Sequence, residues 1–565
     1  MAGQLQFGRS LRSEFYFDDD YISLNHGSYG TYPRSVGDEY KKIQSEAESR
    51  PDLFFRRRYP KELVQSRQAL STLLNCPVDE LVLVPNATSG VNAVLRSLHW
   101  ERGDKVLYMS TIYGACERAL VYIADTRGVE LVRLDVTYPL PDNTVMDIVK
   151  ESLDLHKGTI KLALIDAVSS MPAVRVPWER LCVLFREYGV LSLVDGAHAI
   201  GQIRVDLEAA NPDFFVTNAH KWLYCPRGLA AFHVPKRHQH LIHPVQISHG
   251  YVSPSTSSLY TPIASGNPST FLNEFEWPGT QDFAGYLTIP AAIERRKKLG
   301  GEEKIMDYCN TLAKEGGRRV AEMWGTETME CDAADLATAM INVRLPLSDD
   351  IGINSTEAER VVQGIYDAML ERNCFAPVFK HGGRWWIRFS AQVYNDATDF
   401  MYVAGVMGEL CEIARKGQLA GPREEEVETA MKTDTDDDNK LLHSKSYKIS
   451  RVYPALPHRL FVCLTTPHNY TRQHQNNSPS TFSNTVRSYL FIGTPGGTVL
   501  PDSLGQVHCL SAGTWDITTQ HHISTHPRHE LELEEDGKRT HLAQREHRIQ
   551  TRTGRSTWGI GQGST

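Results

Sequence analysis

Seven short apolar runs, separated by stretches with helical spacing, are what most constrains this chain. The runs are LVLVP (81–85), KVLYM (105–109), VELVRL (129–134), KLALID (161–166), VLSLVD (190–195), DFFVT (213–217) and LAAFHV (229–234). They read as buried strands, apolar on both faces. RQALSTLL (67–74) precedes the first, SGVNAVLRSL (89–98) follows it, and WERLCVLFREYG (178–189) precedes the fifth. Each of the three repeats apolar residues three and four apart, as a helix does. Strands alternating with helices predict an α/β fold, a mostly parallel seven-stranded sheet with helices on both faces. Ligands of such sheets bind beyond the carboxyl ends of the strands, so the chemistry is sought there.

Composition narrows the class. A chain of 565 residues is long enough for two or more domains with real cores. With 41% hydrophobic and 23% charged residues it reads as soluble and globular. A net charge of −8 supplies no basic field for nucleic acid or anionic lipid. No apolar run is long enough to span a membrane. MAGQLQFGRSLRSEF has no apolar core of the signal-peptide kind. Ten cysteines stand singly with no CxxC pair, as expected of reduced thiols in a cytoplasmic protein. Near residue 420 the character changes. GPREEEVETAMKTDTDDDNK reads as an acidic linker, and 419–565 as a polar, largely disordered extension. Its apolar runs, 460–464 and 489–492, are short and show no sustained period. HHISTHPRHE (521–530) reads as a solvated polar tail rather than a metal site, and no metal is expected.

The strand ends carry residues with two readings each. After the first strand, Asn86, Thr88, Ser89 and Gly90 open a helix. They could cup a phosphate on free N–H groups, or simply cap the helix. Tyr113, after the second strand, could stack on a flat ring or belong to the core. The fourth strand ends at Asp166, and Ser169 and Ser170 beyond it could reach a ligand or cap a turn. Asp195 ends the fifth; a carboxylate after apolar residues needs a partner, such as a protonated ring nitrogen or an internal ion pair. Lys221 follows the sixth, among Trp222, Leu223 and Tyr224. Desolvation there would lower its pKa and favour attack on a carbonyl; the alternative is a surface lysine. A phosphate cup, a stacking aromatic, a ring-nitrogen carboxylate and an amine thus occur in order on successive strand ends.

That order resembles the class V aminotransferase superfamily of pyridoxal-phosphate (PLP) enzymes, fold type I. The resemblance runs from about residue 15 to residue 415. It rests on Asn25-His26-Gly27-Ser28-Tyr29-Gly30, VPNATSGVN, TIYGAC, DAVSSMP, VDGAH, FFVTNAHKWLYCPRG, EWPGT and RWWIRFSAQVYND. These are similar to the isopenicillin N epimerase-like branch and, within it, to the fungal hercynylcysteine sulfoxide lyases.

The resemblance implies a large PLP-binding domain over 15–290, to which 15–60 adds site and dimer contacts, and a smaller α+β domain over 291–418. It implies that Lys221 carries the cofactor and that Asp195 pairs with its ring nitrogen. His198 would lie near the ring oxygen, and Tyr113 would face the ring. Thr88, Ser89 and His220 would contact the phosphate, with Ser170 also at the cofactor. Arg388 would bind the substrate carboxylate, and Asn25 and His26 would line the substrate pocket. Trp277-Pro278-Gly279-Thr280 resembles a segment that reaches the partner subunit's phosphate, which implies a homodimer. Two positions depart from relatives. His198 stands where many have Gln, so its charge could follow pH, and Ala167 stands where several have His.

The reaction implied is β-elimination from a cysteine S-conjugate to pyruvate and ammonia, with Lys221 removing the α-proton and Tyr113 protonating the sulfur. An epimerase or another PLP-dependent amino-acid transformation is the alternative on the same cofactor. A cysteine desulfurase would need a mobile nucleophile such as Cys331 or Cys374, and Cys374 reads as strand packing. A catalytically silent scaffold is a third class.

Overall fold

The computed structural model describes residues 6–253, 269–351 and 355–417, together with the backbone of six short strands between 499 and 541. The chain divides into two compact units, Met1–Arg423 and Glu424–Thr565.

In the first unit, β1 is Ile22–Ser23, and the large sheet is built from β2 (Leu81–Val84), β3 (Lys105–Met109), β4 (Glu130–Leu134), β5 (Ile160–Asp166), β6 (Leu191–Asp195), β7 (Phe214–Thr217) and β8 (Ala230–His233). Their order is β2-β8-β7-β6-β5-β3-β4. The pairs β3–β4, β3–β5, β5–β6 and β6–β7 are parallel, and β8 runs antiparallel between β2 and β7. Each of the seven apolar runs supplies one strand.

Strand residues alternate between two cores, as a period of two requires. Leu107 and Met109 enter one core with the helix Trp178–Glu187. Val106 and Tyr108 enter the other, with the helices Ala87–Ser97 and Gly114–Arg127. The edge strand β4 turns Glu130 and Arg133 to solvent, a charged edge that discourages further pairing.

A second, antiparallel sheet holds β9 (Met340–Arg344), β11 (Val378–His381) and β12 (Arg384–Ser390) in the order β11-β12-β9. It shares a third core with the helices Glu302–Trp324 and Ala397–Arg415. The latter begins with a capping box of Asp396 and Asp399. Here the N-terminal segment is stitched in. β1 pairs in parallel with β10 (Cys374–Phe375), and the Ser390 N–H donates to the Leu24 carbonyl at 2.8 Å. That seam delivers Asn25 to the strand that carries Arg388.

In the second unit, Val499–Pro501, Gln506–Cys509 and Gly513–Asp516 form one antiparallel sheet, and Ile523–Thr525, Leu531–Glu535 and Lys538–His541 another. The sequence had led us to expect little regular structure here. LELEE (531–535) does alternate with period two, a signal too short to register in a search for sustained runs. The linker at 421–440 and the runs at 460–464 and 489–492 lie outside the described residues, as does 521–530 apart from Ile523–Thr525. Among the described residues no helix is long and apolar enough to cross a membrane, and no group of three or more His, Cys, Asp or Glu could hold a metal ion. The eight cysteines of the first unit's described residues are unpaired.

Candidate active site

Two carboxylates end adjacent parallel strands. Asp166 closes β5 and Asp195 closes β6, and they are partners in register, so both side chains leave the same face of the sheet. Both are buried. Asp195 accepts the Ala197 N–H at 2.9 Å on Oδ1 and the Cys116 thiol at 3.2 Å on Oδ2. Cys116 sits in the first turn of the helix Gly114–Arg127. Burial, then the Asp195 and Asp166 charges, holds its thiol well above the usual range. Burial pushes both carboxyls up. Neighbouring buried carboxylates do not both ionise cheaply. Burial and then the charge of Asp195 raise Asp166, against Lys221; burial raises Asp195 too, against the Ala197 N–H, the Cys116 thiol and Lys221. The two hydrogen bonds donated to Asp195 favour the charge there and the proton on Asp166.

Beyond β7 the chain makes a single helical turn, Ala219–Trp222, that carries Lys221. Lys221 Nζ lies 3.0 Å from His198 Nε2, and the Trp222 indole N–H donates to His198 Nδ1 at 3.3 Å. Burial, helped by the Arg388 charge, brings the Lys221 pKa down to about 8, against the pull of Asp195, Asp166 and Cys116. Burial first, then Lys221, Arg388 and His220, pushes His198 well below its usual value. The ring whose charge was expected to follow pH is instead held neutral. The turn is fixed from behind. Arg296, fully buried, donates to the Trp222 carbonyl at 2.8 Å, grips Glu302 through two hydrogen bonds of 2.6 Å, and lies 4.8 Å over the Tyr224 ring. Tyr224 adopts φ +66°, left-handed and uncommon for a bulky residue. Its hydroxyl donates to Gln392 at 2.7 Å.

The helix Ala87–Ser97 points its N-terminus at this region. Asn86 caps it by accepting the Ser89 N–H at 2.8 Å, and the Ala87 N–H donates to Asn218 at 2.9 Å. Thr88 and Ser89, half-buried, occupy the first turn. Gly90 permits the close approach: a Cβ there would sit 2.7 Å from Val216 on β7. His220 Nδ1 lies 2.8 Å from the Leu229 carbonyl, and burial brings its pKa down to about 4.

Arg388, on β12, is 1% exposed. It donates through Nη1 to the Ser170 carbonyl (3.0 Å) and hydroxyl (3.3 Å), and through Nη2 to Asn25 Oδ1 and Ser28 Oγ, both at 2.7 Å. Its Nε is buried without a partner. Among the described residues it forms no ion pair. Burial lowers its pKa to about 10, opposed only by Tyr366 and Tyr29.

The residues singled out from the sequence thus fall into groups. Lys221, His198 and Asp195 stand together, and Arg388, Asn25 and Ser170 form a second cluster, with Ser170 serving the arginine. Tyr113 is at the N-cap of the helix Gly114–Arg127 with its side chain exposed. His26 Nδ1 is 2.9 Å from the Tyr394 hydroxyl and its ring 5.0 Å from Trp222, and with Asn25 it lines a cavity. Thr280 is exposed in a bend and hydrogen-bonds to none of these residues. Cys374 is buried in β10, and burial pushes its thiol up to about 11, the state of a packing thiol and not of a nucleophile. Cys116, Ser28 and the indole N–H of Trp222 were not anticipated. A thiol in a helix turn reads as core, and Ser28 becomes informative only once Arg388 lies beside it.

A mostly parallel sheet with a half-buried lysine, a buried carboxylate and a helix N-terminus at its carboxyl edge defines an α/β protein built to bind a ligand there. Residues 34–400 match the aminotransferase class-V model, and the chain belongs to that family. An L-cysteine desulfhydrase-like protein of Epichloe uncinata is 32% identical over 440 residues, spanning 72% of this chain and 97% of that protein. The hercynylcysteine sulfoxide lyase of Schizosaccharomyces pombe is 30% identical over 413 residues, 73% of this chain and 100% of that one. Among solved structures, a C-DES variant with glycine covalently linked to its PLP cofactor shares the fold. Its TM-score is 0.58 at 16% identity, covering 69% of this chain and 97% of that one.

Proposed function

We propose that this chain is a PLP-dependent carbon–sulfur lyase. In this reading it cleaves a cysteine S-conjugate of the hercynylcysteine sulfoxide type by β-elimination, releasing pyruvate and ammonia. The observation that carries the reading is a pair of cations, the half-buried Lys221 and the buried Arg388, neither of which forms an ion pair among the described residues. An amine held near neutrality suits a carbonyl, and a buried guanidinium without a counter-charge suits a carboxylate.

The residues present fit PLP. Lys221 would hold it covalently, Asp195 would face its ring nitrogen and His198 its ring oxygen, and Thr88, Ser89 and His220 would hold its phosphate. When bound, the cofactor supplies an electron sink for the carbon that loses its proton. Arg388 binds the substrate carboxylate in two-point fashion, oriented by Asn25, Ser28 and Ser170. Lys221, as a free amine, removes the α-proton. The Cα–H electron pair becomes the Cα–Cβ double bond while the Cβ–S bond breaks. The sulfur leaves with that bond's electrons and takes a proton from Tyr113. Water then hydrolyses the released aminoacrylate to pyruvate and ammonia. The reading includes a homodimer, in which Thr280 reaches a phosphate in the partner subunit, and a reducing cytoplasmic setting for the unpaired cysteines.

The test is pyruvate release by PLP-loaded protein from hercynylcysteine sulfoxide and from L-cysteine. Loss of about 1,000-fold or more is expected in Lys221→Ala, the scale of a lost general base and covalent anchor. Absence of pyruvate from every cysteine S-conjugate tried would remove the lyase assignment. A monomer by light scattering would remove the homodimer.

A further inference from the structure

Trp222 is more than the apolar neighbour of Lys221. An indole nitrogen donates a hydrogen bond and cannot accept one. Its Nε1 lies 3.3 Å from His198 Nδ1, so Nδ1 must present its lone pair. A neutral imidazole carries one N–H, which is then on Nε2. That nitrogen faces Lys221 Nζ at 3.0 Å. An N–H aimed at an ammonium would set donor against donor. A neutral amine can accept that N–H, so this tautomer favours loss of the Lys221 proton.

We infer that Trp222 is a positioning residue: by occupying His198 Nδ1 it fixes the ring as an Nε2–H donor and so favours Lys221 as an unprotonated amine. The ring cannot take a second proton without turning an N–H onto the indole N–H. Trp222 has little freedom to yield. It is buried, its ring packs 5.0 Å from His26, and its carbonyl is held by Arg296. The other groups facing the pair are compatible. Arg388 lowers Lys221, while Asp195, Asp166 and Cys116 raise it; His198 feels Lys221, Arg388 and His220, all lowering. If the cofactor binds as proposed, the same Nε2–H would be available to donate to its ring oxygen. That consequence rests on the proposed role of Lys221, whereas the tautomer does not.

Two measurements test the inference on the whole chain. The first is the 15N spectrum of histidine-labelled, cofactor-free protein, with the His198 signals assigned by their loss in His198→Gln. A protonated Nε2 and an unprotonated Nδ1 are expected, and a protonated Nδ1 would overturn the inference. The second is the pH dependence of the rate at which cofactor-free protein captures PLP, followed by visible absorbance. In Trp222→Phe the ring is free to flip its tautomer and accept from an ammonium. The midpoint should then rise by about one pH unit, with capture about tenfold slower at neutral pH, the scale of one charge-assisted hydrogen bond. In a His198→Gln background, Trp222→Phe should shift the midpoint no further. Equal shifts in both backgrounds, or none in a folded Trp222→Phe protein, would overturn the role. If Trp222→Phe does not fold, the wild-type spectrum decides alone. If the protein captures no PLP, the proposed function fails while the spectrum still tests the tautomer.

Discussion

Arg388 is fully buried and Lys221 half-buried, and neither forms an ion pair among the described residues, yet the two cations are handled in opposite ways. Around Lys221, the surroundings favour loss of the charge. A neutral imidazole faces the amine, and burial lowers its pKa to about 8. Around Arg388 the charge stays, because a guanidinium does not give up its proton in a protein. Four neutral acceptors, from Ser170, Asn25 and Ser28, share it instead. One pocket wall thus offers a nucleophile and the other an electrostatic socket. The chemistry differs because the two side chains differ in whether they can neutralise.

The sharpest way to break the comparison is Arg388→Lys. A lysine there could shed its proton as Lys221 does, and it lacks the planar fork. We expect kcat/KM for a cysteine S-conjugate to fall about 100-fold, mainly through KM, the scale of a lost two-point charge-assisted contact. An unchanged KM would mean that the socket is filled by something other than substrate carboxylate.

Lys221→Met examines the other wall through stability. The unfolded chain binds the lysine proton up to about pH 10.5, whereas the folded chain gives it up above about 8. Between those values the unfolded state holds more protons, so stability rises with pH. The penalty is complete below about 8 and relieved above 10.5, and it amounts to at most about 3 kcal/mol. Cofactor-free Lys221→Met should therefore be the more stable protein at pH 7 by up to that amount, and the gap should close as pH rises. Denaturant curves at pH 7 and 9.5 with the same gap between wild type and variant would show that the lysine charge was never strained.

The two walls also differ in how much of them the sequence made legible. Lys221, Asp195 and the Thr88–Ser89 turn are visible because each follows an apolar run, and the run fixes which end of the strand it occupies. Arg388 is recognisable only from the motif around it. Nothing local says that it lacks a counter-charge, since its acceptor Asn25 is 363 residues away and arrives by the pairing of β1 with β10. Cys116 is invisible for another reason. A thiol reads as packing until its sulfur is found 3.2 Å from Asp195. The indole N–H on His198 Nδ1 is hidden likewise, in a residue that composition counts as apolar.

The smallest effect expected is the most discriminating for the carboxylates between the walls. Asp166 and Asp195 are register partners, and their burial is alike. If Asp166 carries the proton and Asp195 the charge, Asp166→Asn replaces one neutral group by another of the same shape. Turnover should then stay within about threefold, the range of an exchanged neutral hydrogen-bonding group. Asp166→Asn should also flatten a pH slope. A carboxyl raised above its unfolded value binds more protons folded than unfolded, so stability falls as pH climbs from about 4 toward the raised value. The variant has no such proton to lose, and between pH 5 and 8 its cofactor-free stability should decline less than that of wild type. A large loss of turnover with an unchanged slope would place the charge on Asp166. The ring-nitrogen contact would then have to be reassigned from β6 to β5.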